Sequence, residues 1–224
     1  MTSKISIVFI ALMSFGCFNQ SQYPPPSQSE KSQTILPIPT EVRQATKSVL
    51  AITLKFNIKS GGALSFMPKK ISQFETGGTG FMIKPGIIVT ARHVLMESIL
   101  SLKQLGMTFE VDSSGFPTSK FYNYYFIATT NVDGDSQDFD LHPIAMGKLG
   151  EHKDYLVLTA VNYPKSLKAM ELGELKEFDT VYISGYIPEY SIYPDVNGED
   201  IPVLSGMLKE SFEGQVHEII NRDW

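Results

Sequence analysis

The segment GTGFMIKPGIIVTARHV, Gly78 to Val94, commits the middle of the chain to antiparallel β-structure. Two runs of apolar and β-branched residues flank Lys84-Pro85-Gly86. Proline pre-sets the backbone angle a turn needs, and glycine accepts the positive φ that closes it, so the runs fold back as a hairpin. Glycines at 77, 78 and 80 strip side chains from the first of the two strands, which lets other parts of the chain approach its backbone closely. Similar short runs recur at VLAITLKFNI (49–58), MTFEV (107–111), KFYNYYFIATT (120–130), DLHPIAM (140–146), DYLVLTAV (154–161), TVYISGY (180–186), PVLSGMLKES (202–211) and QVHEIIN (215–221). They recur roughly every 10 to 15 residues with turn residues between them, a pattern of all-β barrels and sandwiches. HVLMESILSL (93–102) reads as a short helix and EVRQATKSV (41–49) as a helical lead-in. No long amphipathic helical pattern accompanies them, which disfavours a parallel α/β sheet.

Composition narrows the function classes. Hydrophobic residues make up 42% and charged residues 19%, as in an ordinary globular chain. A net charge of -5 gives no reason to expect a nucleic-acid partner. Cys17 is the one cysteine, so the chain forms no internal disulfide and no thiolate zinc site.

Cys17 also lies in a distinctive setting. MTSKISIVFIALMSFGC places Lys4 ahead of an apolar run from Ile5 to Phe15 and a small residue, Gly16, directly before the cysteine. The run is shorter than the roughly 20 apolar residues of a membrane-spanning helix and has the layout of a signal peptide. The ending resembles a bacterial lipobox, although Ser14 and Phe15 stand where an aliphatic and a small residue are usual. The resemblance implies lipidation at Cys17, export, and a lipid anchor in a bacterial cell envelope, on its periplasmic or surface side. Residues 18–40 are rich in Ser, Gln and Pro and read as a flexible tether between anchor and domain.

Among polar candidates His93 stands out, because an apolar strand runs directly into it. Taken alone, a core histidine bonded to backbone is the better explanation. The aspartates of DGDSQDFD (133–140) lack the glycine and glutamate positions of a calcium loop and read as a solvated hairpin tip. His142, His152 and His217 have no metal-ligand spacing, and Gly77-Gly78-Thr79-Gly80 does not lead into the Lys-Ser/Thr of a phosphate loop. No cofactor or metal is expected.

G-T-G-F-x-I…G-I-I-V-T-A-R-H-V resembles the histidine segment of trypsin-like serine peptidases, in particular the HtrA/Deg-like branch. Asp154-Tyr155-Leu156-Val157-Leu158 is similar to that family's aspartate segment, 61 residues after His93. LGELKEFDTVYISGY and PVLSGMLKES resemble later strands of the same family. The likeness implies a chymotrypsin-like double β-barrel, with the first barrel over residues 41–161 and part of a second over 162–224. It implies that His93 acts as general base and that Asp154 orients it.

The same resemblance exposes a gap. The family's nucleophile lies in Gly-x-Ser-Gly, which occurs nowhere in the 224 residues. Ser205-Gly206 and Ser184-Gly185 match other strands of the family and are not nucleophile candidates. The sequence ends at EIINRDW, short of the motif's expected place, so about three of roughly six second-barrel strands are expected, with unpaired edges. The reading is therefore an exported serine endopeptidase by resemblance, acting on polypeptides, but proteolytically inactive as written. The alternative is a non-catalytic surface lipoprotein that binds peptide or protein, a pseudopeptidase. Oligomeric state is not legible.

Overall fold

The computed structural model describes residues 40, 46–58, 73–104, 108–119, 122–132, 135–148, 153–171, 173, 179–194 and 200–215. Residues 1–39, with Cys17, the expected signal segment and nearly all of the expected tether, and most of QVHEIIN lie outside them. A 3-10 turn at Thr46–Ser48 leads into β1 (Val49–Ile58). Then come β2 (Gln73–Lys84), β3 (Ile87–Thr90), helix α1 (His93–Gln104), β4 (Glu110–Val111) and β5 (Pro117–Thr118). β6 (Tyr122–Val132), β7 (Asp135–Met146), β8 (Leu156–Ala160), β9 (Thr180–Pro194) and β10 (Asp200–Gln215) complete the order.

Six strands close into a barrel in the order β1-β2-β3-β8-β7-β6, every neighbour antiparallel. The chain is thus all-β apart from α1 among the described residues, and its closed six-stranded barrel is compatible with a chymotrypsin-like fold. Alternation decides what fills the barrel. Leu50, Ile52, Leu54 and Phe56 of β1 are fully buried, and join Met82, Ile88, Phe126, Leu141, Leu156 and Leu158 in one core. Helix α1 adds Leu95, Ile99 and Leu102, spaced to share one helical face, to the same core. Gly86, at φ 75, closes the β2–β3 turn as its sequence requires, and its carbonyl accepts the Ala160 amide at 2.8 Å.

β9 and β10 form a separate two-stranded ribbon, with a bulge between Leu204 and Gly206. It lies against the outer side of β1 and β2. Val49 and Ala51 are buried there with Tyr186, and Met170 and Met207 pack beside them. One hydroxyl anchors it: the Tyr186 amide donates to Thr79 Oγ1 at 2.7 Å, and Thr79 Oγ1 donates to the Tyr186 carbonyl at 3.2 Å. Lys209 Nζ donates to the Thr46 carbonyl at 2.7 Å and sits 5.7 Å from the centre of the Tyr186 ring, where burial lowers its pKa.

Several expectations need correction. DGDSQDFD, expected as a solvated hairpin tip, begins with Asp133 and Gly134 outside the described residues, and Asp135 to Asp140 belong to β7, paired with β6 from Val132↔Asp135 to Ile127↔Asp140. Asp138 and Asp140 alternate outward there, while Phe139 points into the core, so the acidic character marks the solvent face of a strand. Asp138 Oδ1 accepts from Thr129 Oγ1 at 2.7 Å across that face. MTFEV contributes only the two residues of β4. Within 162–224 the described residues hold one two-stranded ribbon, whose strands are longer than their apolar runs suggest; the third expected strand, QVHEIIN, lies outside the described residues beyond Gln215.

An aromatic group seals the barrel between β1 and β6. Phe109 and Tyr122 stack with ring centres 4.5 Å apart, and Phe56 lies 5.5 Å from Tyr124. Burial, the largest cause in each case, pushes the phenols of Tyr122 and Tyr124 up to about 12. A phenol whose folded pKa exceeds its unfolded value of 10.0 favours the fold below that value, and the contribution is lost as pH rises towards 12. Alkaline titration followed by tyrosinate absorbance is therefore expected to show these two ionising last and together with unfolding. A Tyr122→Phe, Tyr124→Phe double variant with an unchanged high-pH phase would refute the assignment.

Candidate functional site

The pairing of β3 with β8 builds the site. Thr90 stands opposite Leu156, so the residues just after β3 run alongside those just before β8. His93 and Asp154 meet there. The His93 imidazole Nδ1 and Asp154 Oδ2 are 2.5 Å apart, and the His93 amide donates to Asp154 Oδ1 at 2.9 Å. Both carboxylate oxygens are thus used on one residue, one holding the backbone and the other the ring.

His93 is also the first residue of α1. The Arg92 carbonyl accepts from the Met96 amide at 3.1 Å, which makes Arg92 the cap position and leaves the His93 amide without an intrahelical partner. Helix starts favour negative charge, and the first turn of α1 holds no acidic residue of its own. Asp154 supplies the missing carboxylate from 61 residues away.

The pair is partly open to solvent, the side chains being 20% exposed for histidine and 32% for aspartate. With Nδ1 directed to the carboxylate, the imidazole is held in one orientation and its Nε2 has no hydrogen-bond partner among the described residues. Such a ring can accept a proton at Nε2, with the carboxylate stabilising the resulting cation.

The residues that lead into His93 are small and fixed. Thr90 is buried and donates from Oγ1 to the Thr79 carbonyl at 2.8 Å, and Ala91 is buried beside it. Gly78 lets the helix sit against β2: a β-carbon there would lie 2.7 Å from Val94 Cγ2. Since Val94 follows His93, any side chain at 78 would push on the first turn of α1.

The serines set aside in the sequence are engaged elsewhere. Ser205 Oγ donates to the Glu189 carbonyl at 3.0 Å, and Ser184 is buried with its hydroxyl 2.9 Å from Ser211 Oγ. His142 is exposed on β7, while His152 and His217 lie outside the described residues. No three His, Cys, Asp or Glu side chains converge to hold a metal ion among the described residues.

Sequence reasoning missed Arg92. Its Nη1 donates to the Gly147 carbonyl at 3.0 Å, and its Nε is buried with no hydrogen-bond partner among the described residues. Its place beside the histidine was the available signal, but that place does not say which carbonyl the guanidinium reaches.

The fold and this pair define the chain as a closed β-barrel protein with a histidine–aspartate couple at the β3–β8 edge. No protein-family model matches the sequence, and no curated protein matches it.

Replacing Asp154 by alanine removes two hydrogen bonds and the helix cap together. Loss of a cap alone costs about 0.5–2 kcal/mol, so the Asp154→Ala protein is expected to lose stability on that scale or more and to unfold at a lower denaturant concentration. An unchanged midpoint would mean that the carboxylate does not secure the start of α1.

Proposed function

We propose that the chain belongs by descent to the trypsin-like serine peptidases and is an exported, lipid-anchored protein whose His93 and Asp154 are the base and orienting acid of a peptidase site. The observation that supports it most is the two-point contact of Asp154 on His93, at 2.5 and 2.9 Å. A buried structural histidine needs one partner and no solvent. This one has a carboxylate on Nδ1, partial exposure, and a ring nitrogen left over. In peptidase chemistry that nitrogen takes the proton of an attacking hydroxyl and returns it to the leaving amine, while the aspartate stays ionised.

The 224 residues contain no Gly-x-Ser-Gly, and with it the family's nucleophile and oxyanion-binding amides are missing from them. These residues by themselves are expected to cleave no peptide bond by this route and to take no label from a fluorophosphonate. Reading the coding sequence beyond the Trp224 codon tests the assignment. A frame bearing Gly-x-Ser-Gly, whose longer product is labelled unless His93→Ala is present, supports it; a longer frame without the motif counts against it. For the anchor, metabolic palmitate labelling is expected to disappear in Cys17→Ala, and persistence of the label would rule that cysteine out.

One feature favours a second reading, a non-catalytic binder of peptides or proteins. Among the described strands β9 and β10 pair only with each other, so their outer edges remain available for an added strand. Peptide capture that is unaffected by His93→Ala would favour this reading over the first.

A further inference from the structure

We propose that Arg92 is a positioning residue that fixes the His93–Asp154 pair from the far side of the loop carrying the aspartate. The proposal rests on the peptidase-type reading of that pair. Asp154 enters β8 from a loop that leaves β7 after Met146. The near end of that loop is Gly147, whose amide donates to the Tyr155 carbonyl at 2.9 Å and so extends the β7–β8 ladder past Met146↔Leu156. A β-carbon at 147 would run into the backbone of Lys153, so the two ends of the loop touch without a side chain between them. Arg92 Nη1 donates to the Gly147 carbonyl. The next residue, His93, donates its amide to Asp154.

Two consecutive residues of the β3–α1 junction therefore grip the two ends of one loop. His93 holds the aspartate itself, and Arg92 holds the strand end against which the aspartate's neighbours are packed. The His93 grip acts on the aspartate alone and leaves the Gly147 end of the loop to the β7–β8 ladder. With both grips, the carboxylate has a defined position relative to the imidazole. The cost is visible in Arg92 Nε, which is buried with no hydrogen-bond partner among the described residues. Burying an incompletely bonded guanidinium opposes folding, and an apolar side chain would fill the place without that penalty. The planar guanidinium reaches the carbonyl with fixed geometry, which an ammonium on a flexible stem does not reproduce.

The test reads the pair directly and does not depend on peptide cleavage. In the full chain, a far-downfield proton resonance from His93 Nδ1–H, absent in His93→Ala and in Asp154→Asn, reports the histidine–aspartate hydrogen bond. Arg92→Met is expected to abolish that resonance or to speed its exchange with water by about tenfold or more, the scale of one lost charge-assisted hydrogen bond. Arg92→Lys is expected to fall between, with circular dichroism showing the same fold. A merely structural arginine would shift the unfolding temperature and leave the resonance and its exchange where they are in the wild type. That result in Arg92→Met overturns the proposal. Should Arg92→Met not fold, Arg92→Lys decides, and an exchange rate identical to the wild type overturns it. A wild-type chain without the resonance sinks the peptidase-type reading and this proposal together, whereas a resonance indifferent to Arg92 sinks only the proposal.

Discussion

The antiparallel register of β3 on β8 is the constraint on which the rest depends. It joins segments from the two halves of the barrel, closing a cylinder whose other five seams link strands nearer in sequence or bring β6 back to β1. Closure removes the open edges that a six-stranded sheet would otherwise expose. The same register sets the residues after Thr90 beside those before Leu156, so barrel closure and assembly of the histidine–aspartate couple are one event. A slip of one residue would invert the strand's faces, sending Ile88 and Leu158 out of the core and separating His93 from Asp154.

Much of this architecture was legible because β-strands alternate. VLAITLKFNI and LVLTA show their buried positions in the order of their letters, and Pro85-Gly86 marks its own turn. The helix after His93 was legible from its apolar spacing. His93 and Asp154 stood out through their flanking patterns, and the structure brings them together. Other features were hidden for physical reasons. The aspartates of β7 look like loop residues, since a strand with one face in water carries the same polar letters as a turn. β9 and β10 extend past their apolar runs, with backbone pairing continuing from Thr180↔Gln215 to Pro194↔Asp200, and backbone pairing leaves no mark in the order of side chains. The reach of Arg92 to Gly147 is a long-range contact between a side chain and a carbonyl, and every residue has a carbonyl.

Asp154 illustrates how one group can answer two needs. The start of α1 requires an acceptor for a free amide, and the imidazole requires an acceptor for its Nδ1 proton. A single carboxylate meets both, with one oxygen each. The helix is therefore not a passive neighbour of the site: its first amide helps to fix the carboxylate that fixes the ring. The helix start and the orientation of the imidazole are coupled at this residue, so a substitution there disturbs both at once.

The glycines of β2 bear on how the ribbon and the site are related. A β-carbon at Gly77 would strike Met207 of β10, while one at Gly78 would strike Val94 of α1. Adjacent residues of one strand thus receive the ribbon on one side and the helix on the other. Packed layers are ordinarily kept about 10 Å apart by the side chains between them. Here the partition is a bare peptide backbone, one molecular layer thick. The ribbon and the first turn of the helix are next-door rooms that share this wall at two adjacent glycines, so a side chain gained at either one would crowd the room beside it.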